Sequence, residues 1–547
     1  MSLIRTLLQP AAYLAGLHVS RQLEAFFLAH QRTREVQERL LMELIEAHRQ
    51  TDFGRDHGFD RIRTYEDFTS AVPIRSYEAI LPYMQRVLEG RTTALLPPGA
   101  SVLMFAMTSG TTGKPKHIPV TPRFIAAIRR GWNTWGLRVL NDHPEAWLRQ
   151  ILQISSPMNE TYSPAGVPCG AISGLLAATQ KRIVRQMYVV PEALSGIGDP
   201  LAKYYAILRC SIERDVSIIT TANPSSTIKL IETGQQHTER LIRDIADGTL
   251  QPPGDLGADV RKALRLRPNP SLARRLHASV DRDGVLLPRH FWNVAFLGMW
   301  TGGTLKLYLR RVRELFGDVP IRDIGLLASE GRFTVPLADG TPAGVAEILD
   351  SFLEFIPAQE RQSANPSVLR AHELESGQEY FLVVSNWAGL WRYNIDDRVR
   401  VVDHVGQSPV LEFLSRGLHT ANITGEKITE HQVVDAMRLA SARSGAAINR
   451  FIVQGVFDRI PYYELRLERL TDGQGQQLAR YLDEALCELN IEYHSKRSSG
   501  RLGPIRPVLL RQEELEHEEI SKIRNRRGRS EQYKHQYLLT DVKTVES

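Results

Sequence analysis

The sequence predicts an α/β protein of two domains: a large N-terminal domain of mixed sheets with flanking helices, and a small C-terminal α+β domain. Three observations carry that expectation. The chain has 547 residues, more than one core usually organises, so two or more domains are expected. Short apolar runs bounded by glycine and polar clusters alternate with stretches of helical period. An apolar run at 102–107 leads into TSGTTGKPK at 108–116 and then into Ile118, Pro119 and Val120, which reads as two strands joined by a loop of hydroxyls, glycines and lysines.

Such a loop suits polyphosphate. Gly110 and Gly113 let backbone approach an anion. Thr108, Ser109, Thr111 and Thr112 offer hydroxyl donors, and Lys114 and Lys116 supply charge. It is not a Walker loop, which needs glycine where Thr108 stands and a hydroxyl residue where Pro115 stands. An ordinary polar hairpin turn is the alternative, and composition does not separate the two.

Apolar content of 42% and charged content of 24% are those of a globular protein. No eighteen-residue apolar run occurs, so no membrane span is expected. Near the N-terminus, Gln9 and Pro10 interrupt the apolar stretch and argue against a signal peptide, so a cytoplasmic location is expected. Cys169, Cys210 and Cys487 lie far apart, which fits a reducing compartment and speaks against zinc or disulfides. The formal charge of +6 is mildly basic. Its densest run, KIRNRRGR at 522–529, has only Tyr533 and Tyr537 nearby, so it reads as a solvated or anion-binding patch rather than a nucleic-acid surface.

Taken in order, 31–48 is an amphipathic helix, and TDFGRDHGF at 51–59 opens a loop-rich connection. A helix from Pro122 follows the phosphate loop closely. Residues 156–176 read as loop, either lining a cleft or lying on the surface. VSIIT at 216–220 is a buried-type strand, with Ser225 as cap of a helix at 227–247. Residues 249–285 read as a surface excursion. Residues 295–317 read as strand, glycine turn and helix, with Thr301, Gly302 and Gly303 at the turn, where backbone could approach adenine or ribose.

In IRDIGLLASEGRF, 321–333, a strand ends at Ala328, Ser329 and Glu330. A carboxylate there suits Mg2+, which takes one or two carboxylates plus phosphate oxygens and water. Glu354 is a second, weaker candidate, and a solvated glutamate is the plain alternative. In NWAGLWRYNIDDRVRVV, 386–402, Asp397 could accept hydrogen bonds from both ribose hydroxyls. Otherwise it pairs with Arg398 or Arg400, and adjacent Asp396 could exchange roles with it.

TSGTTGKPK resembles the phosphate-binding loop of adenylate-forming enzymes. TDFGRDHGF and YEDFTSAVPIRSYEAILPY resemble the opening of one branch, the Gretchen Hagen family of acyl-acid amido synthetases, and the likeness runs over nearly the whole chain. The family's Ala-Ser-Ser-Glu-like signature, usually opened by tyrosine, has Leu326 and Ala328 here but keeps the glutamate as Glu330. Its Ala-Gly-Leu-Tyr-Arg-Tyr-Arg-Val-Gly-Asp segment has Trp391, Asn394 and Asp396 as departures, and Asp397 at the aspartate.

The resemblance implies a large ATP- and acid-binding domain at 1–414 and a lid at 415–547, hinged near 415–418. Nucleotide contacts would come from the loop residues Thr108 to Gly113 with Lys116, and from Thr301, Gly302, Ser329, Asp397 and Arg416. Glu330 would hold Mg2+ and serve catalysis, and Lys534 would be the catalytic lid lysine. In the lid, helices are expected around Val433 and at 478–489 and strands at RFIVQGVF and YYELRLERL. Lys496, Arg497 and Arg501 are candidates for an acidic group on the amine substrate, or else are exposed charge on a loop.

The implied activity is ATP-dependent activation of a small carboxylic acid and transfer of the acyl group to an amine or amino acid. No nucleic-acid or membrane partner is implied, and the sequence carries no oligomeric state. A thioester-forming ligase is the first alternative, since it shares the adenylation half. A non-catalytic nucleotide- or nucleic-acid-binding protein is the second.

Overall fold

Helix α1 (Thr33–His48) turns Val36, Leu40, Leu41, Leu44 and Ile45 inward, the spacing that a helical stripe requires. Helix α2 (Tyr77–Leu88) adds Ile80, Met84 and Val87 to the same core. Strands β1 (Met104–Thr108) and β2 (Lys116–Val120) flank the glycine loop. Helix α3 (Pro122–Asp142) starts at once, because the Thr121 hydroxyl accepts from the Phe124 N–H and Pro122 stands in the first turn.

This is a computed structural model that describes residues 21–547 except 109–115, 181, 198, 258–259, 261–263, 265, 303–304, 306–307, 362, 364, 418–419, 447, 449–450, 469, 512–513, 516–536 and 545–547. Most of the chain before Ser415 forms one compact unit, and Ser415 onward forms a second.

Next in the first unit come β3 (Gln150–Gln153), β4 (Thr161–Tyr162), β5 (Pro168–Gly170) and α4 (Ile172–Ala178). The stretch read as loop at 156–176 is therefore partly regular. Strand β5 pairs with β1 in parallel, Phe105 opposite Cys169 and Ala106 opposite Gly170, a distant partner that no local pattern announces.

Helix α5 (Pro200–Ser211), β6 (Val216–Thr221), α6 (Pro224–Gln236), α7 (Thr238–Asp247), α8 (Pro270–Asp283), β7 (Phe296–Met299), α9 (Leu309–Phe316) and β8 (Ile321–Arg322) follow. Strands β3, β6, β7 and β8 make a four-stranded parallel sheet. Strand β6 is buried throughout, as a strand covered on both faces must be. The cap of α6 is Asn223 rather than Ser225, its side chain accepting from the Ser225 N–H. The single helix read at 227–247 breaks between α6 and α7. The excursion at 249–285 contains α8, capped by Asn269 and closed by Gly284 in the left-handed region.

Strands β9 (Leu327–Ala328) and β10 (Gly331–Arg332) form a small hairpin. Then β11 (Thr334–Val335), β12 (Gly344–Ala346), β13 (Ser351–Pro357), β14 (Leu369–Arg370), β15 (Glu379–Asn386), β16 (Tyr393–Val405) and β17 (Ser408–Arg416) build a seven-stranded sheet in the order β11-β12-β17-β16-β15-β13-β14. Trp391, between β15 and β16, is fully buried, with the Phe59 ring centroid at 4.6 Å and that of His48 at 5.1 Å. Its indole anchors the core.

The second unit has β18 (Thr420–Ala421), β19 (Ile428–Thr429), α10 (Glu430–Ser444), β20 (Phe451–Phe457), β21 (Tyr462–Glu468), α11 (Asp472–Leu489), α12 (Ile491–Ser498), β22 (Arg506–Leu510) and β23 (Leu538–Thr544). A four-stranded sheet, β22-β21-β20-β23, shares one core with α10 and α11. Both helices begin with a capping box, Thr429 with Gln432 and Thr471 with Gln474. Lys496 and Arg497 stand on α12, not on a loop, and Arg497 is held by both oxygens of Asp483. Among the described residues no helix is long and apolar enough to cross a membrane.

Asp350, just before β13, is buried with Arg130 Nη2 at 3.0 Å. Burial, then the charge of Glu347, pushes its carboxyl from 3.8 up to about 8. A folded-state value above the unfolded one means that stability is full below about 3.8 and falls as pH rises towards about 8. Asp350→Asn should therefore flatten the stability profile across that window and raise the melting temperature most at its alkaline end. Thermal unfolding across the window checks this, and an unchanged slope would refute it.

Candidate functional site

Glu330 lies on a tight turn, not at the end of a long strand. The run read as a strand from Ile321 to Glu330 is interrupted at Asp323, whose Oδ1 accepts from the Gly325 N–H at 2.6 Å, and Gly325 takes φ +85° there. The chain then makes the β9–β10 hairpin, in which Ala328 faces Gly331 and Ser329–Glu330 is the two-residue turn. Glu330 is buried and Ser329 half-buried.

The turn is tied to the large sheet. Asn386 Nδ2 donates to the Glu330 carbonyl at 2.7 Å, and Asn386 Oδ1 accepts from the Ala388 N–H at 3.0 Å. Asn386 ends β15, and its backbone N–H closes the turn on the Leu390 carbonyl. Two signature segments are thereby joined, LASEG and NWAGLWRY.

Tyr77 joins a third. Its hydroxyl donates to the His117 carbonyl at 3.1 Å and accepts from the His117 N–H at 2.8 Å. His117 follows Lys116, which is buried as the first residue of β2. Burial, with a further push from the charge of Glu330, raises the Tyr77 phenol to about 12. The Tyr77 ring centroid is 6.4 Å from that of Tyr393, the first residue of β16. Nothing in the sequence assigns Tyr77 a role, because a tyrosine opening a helix carries no mark of this position.

Strand β16 alternates, so Tyr393, Ile395, Asp397, Val399 and Val401 share its buried face. Asp396 is different. It has φ +65° and receives Arg361 through Nη2 at 2.6 Å and Nε at 2.9 Å. Arg398 and Arg400 both engage Glu379. The exchange of roles between Asp396 and Asp397 thus meets an ion pair that commits Asp396.

Thr301 donates its backbone N–H and its hydroxyl to Asp323 Oδ2, at 2.6 and 2.7 Å. Burial pushes Asp323 up to about 6 against the pull of those donors. Gly302 packs under Trp300, where a Cβ would come within 2.9 Å of the indole Nε1. Glu354 does not suit a metal. It is fully buried on β13, bound by Arg392 at 2.9 and 3.0 Å and by the Tyr65 hydroxyl at 2.9 Å, so the buried pair fixes it as a structural group.

Arg332, on β10, was not anticipated. It is buried, donates through Nη2 to the Ile324 carbonyl at 2.6 Å, and stacks over Trp132 at 4.7 Å. Helix α3 makes room with Gly131, where a Cβ would come within 2.4 Å of Arg332 Cδ.

Ser109, Gly110, Thr111, Thr112, Gly113 and Lys534 lie outside the described residues, as do the side chains of Thr108 and Arg416, whose backbones end β1 and β17. Among the described residues, no group of three or more His, Cys, Asp or Glu side chains could hold a metal. One buried hard carboxylate, Glu330, fits Mg2+ carried largely by phosphate and water, not an all-protein cage.

The parallel sheet, the seven-stranded sheet and the compact C-terminal unit together make the fold of an acyl acid amido synthetase. The solved structure titled AtGH3.15 acyl acid amido synthetase in complex with 2,4-DB matches with TM-score 0.65 and 18% identity, over 95% of this chain and 94% of that one. Family models match residues 22–321 (GH3 family N-terminal domain), 347–416 (central domain) and 431–543 (C-terminal domain). The chain belongs to the GH3 family. Among curated relatives, the indole-3-acetic acid-amido synthetase GH3.8 of Oryza sativa subsp. indica is 26% identical, over 87% of this chain and 83% of that protein. The 4-substituted benzoates-glutamate ligase GH3.12 of Arabidopsis thaliana is 23% identical, over 88% of each. The jasmonoyl-L-amino acid synthetase JAR4 of Nicotiana attenuata is 24% identical, over 74% of this chain and 73% of that protein.

Asn386→Ala should leave the Glu330 carbonyl and the Ala388 N–H without their partner and cost about 1–3 kcal/mol of stability. Chemical denaturation measures it, and a loss near zero would show that the turn is held by something else.

Proposed function

We propose that the chain is an ATP-dependent ligase that activates a small carboxylic acid as its acyl-adenylate and transfers the acyl group to an amino acid, forming an amide. One observation carries the reading: in a chain of the GH3 family, the residue after the glycine loop, the Glu330 turn and the start of β16 converge on Tyr77. The relatives support the substrate classes, since one is an indole-3-acetic acid-amido synthetase, one joins jasmonate to amino acids and one joins benzoates to glutamate. The free Cys169, Cys210 and Cys487 fit a reducing, cytoplasmic setting.

Chemistry sets the roles. A carboxylate cannot expel oxide, so its oxygen attacks the α-phosphorus of ATP in line, pyrophosphate leaves, and a mixed anhydride remains. Both reactants are anions. The loop from Thr108 to Lys116 supplies donors and charge to the phosphates. Glu330 would hold Mg2+, which supplies charge neutralisation at the polyphosphate when bound. Asp397 accepts from the ribose hydroxyls, and Thr301 and Gly302 form the turn beside the base. Residues 415–547 act as the lid, with Arg416 on the nucleotide and Lys534 on the α-phosphate and the acid.

A panel of acids should reveal ATP–pyrophosphate exchange, and the same acids with ATP and amino acids should give amides detectable by mass. Conjugates formed only with coenzyme A would overturn the amide reading. Glu330→Ala should lower exchange by about a hundredfold or more, and exchange near the wild-type rate would end the metal assignment. Asp397→Asn should raise the KM for ATP by about tenfold while leaving the response to the acid unchanged; an unaltered KM would remove Asp397 from the ribose.

A further inference from the structure

Helix α3 backs one buried corner with two indoles and a glycine. Trp135 donates its Nε1–H to the Asp323 carbonyl at 2.7 Å. Trp132 lies under the Arg332 guanidinium, 4.7 Å from its ring centroid, and Gly131 leaves the gap through which that side chain passes. Asp323 and Arg332 bracket the segment that carries the Glu330 turn, and both are buried.

Arg332 grips that segment at its base. Its Nη2 donates to the Ile324 carbonyl at 2.6 Å, and Ile324 is the residue between Asp323 and Gly325, which are joined through Asp323 Oδ1. The other oxygen of the same carboxylate takes both donors of Thr301. Arg332 itself pairs with Leu327 across the hairpin whose turn is Ser329–Glu330. One guanidinium therefore touches the turn that fixes Thr301 and belongs to the strand that leaves Glu330. A planar fork of donors can do this while lying flat on an indole, which the ammonium of a lysine cannot.

Two carboxylates answer its charge. Burial draws the guanidinium below the usual arginine range, against the charges of Glu347 and Asp323. Glu347 is tied to the same hairpin, since its backbone N–H donates to the Phe333 carbonyl at 2.8 Å. Its Oε1 accepts from the Leu349 N–H at 3.1 Å, and its Oε2 lies 3.5 Å from the point that a Gly131 Cβ would occupy, a point 3.0 Å from Arg332 Nε. Among the described residues, Glu347 Oε2 and Arg332 Nε and Nη1 have no hydrogen-bond partner. Opposite charges held in a core in this way often stabilise less than apolar residues of the same shape would. Stability alone does not call for Arg332 here, whereas a fixed geometry does.

We propose that Arg332 is a positioning residue for the nucleotide, setting the spacing between the Thr301–Gly302 turn, on the base side, and the Glu330 carboxylate, on the phosphate side; this rests on the roles given above to Thr301, Gly302 and Glu330. A ligand with two ends gains when its two half-sites are rigidly joined, because the second end then binds without a further search. Loosening the joint therefore weakens ATP far more than it weakens either half of ATP.

Arg332→Met and the double variant Arg332→Met/Glu347→Gln test this in the full chain, by calorimetry with adenosine, with inorganic tripolyphosphate plus Mg2+, and with ATP plus Mg2+. Arg332→Met should bind ATP about tenfold or more weakly, while adenosine and tripolyphosphate each stay within about twofold of wild type. In exchange assays its KM for ATP should rise and its KM for the acid should not. The double variant strands neither charge, so it should regain most of the melting temperature that Arg332→Met loses without regaining the ATP affinity. Should Arg332→Met fail to fold, the double variant carries the same three affinities. Unchanged ATP affinity, adenosine weakened as much as ATP, or ATP affinity that returns with the melting temperature would each overturn the positioning role and leave the ligase reading intact. Wild-type protein that holds ATP no more tightly than adenosine or tripolyphosphate would instead remove the shared nucleotide site, and both readings with it.

Discussion

One side-chain amide fixes the geometry on which the candidate site depends. The strands on either side of Glu330 are two residues each, too short to hold a turn rigidly by themselves. The turn borrows its rigidity from β15, because Asn386 binds the Glu330 carbonyl while its own turn is closed by Ala388 and Leu390. Such a bond contributes about 1 kcal/mol net, but leaving the buried carbonyl unpaired costs more. The carboxylate therefore inherits the stiffness of a seven-stranded sheet.

Ion pairing sorts the remaining acidic residues by role. Glu354 is locked by Arg392 and Tyr65, Asp396 by Arg361, and Glu379 by Arg398 and Arg400. Breaking a buried pair such as Glu354–Arg392 strands a charge in the core, so these groups serve the framework. Asp323 plays a quieter part. By taking both donors of Thr301 it couples the end of β7 to the turn that follows β8, so the residues chosen for their place near a nucleotide are positioned by a buried carboxylate.

Much of the fold was legible because it rests on local periodicity and capping. Helix α1, strand β6 and the strands and long helices of the second unit follow from apolar spacing, whereas the one cap read from sequence, Ser225, is Asn223 in the structure. What was misread depends on distant partners. Strand β5 exists because β1 lies beside it. The run from Ile321 to Glu330 looks like one strand until Asp323 binds Gly325. Helix α8 hides among prolines and arginines, since its cap Asn269 carries little signal by itself. At the site, the loop, Glu330 and Asp397 were proposed from residue chemistry and motif order, whereas Tyr77, Asn386 and Arg332 act through contacts with residues such as Tyr393, Glu330 and Trp132 that no local pattern announces. Trp391 stood out as a departure from a motif, yet its burial against Phe59 and His48 makes it a core residue.

Gly131 and Arg332 form a lock of complementary shapes. The guanidinium lies over Trp132 and crosses α3 only where that helix lacks a side chain, since even one methyl would intrude to 2.4 Å. A larger residue at position 131 therefore demands a shorter one, or a shifted one, after the Glu330 turn. That pairing gives a way to sort near relatives by the shape of this buried corner before any substrate is known.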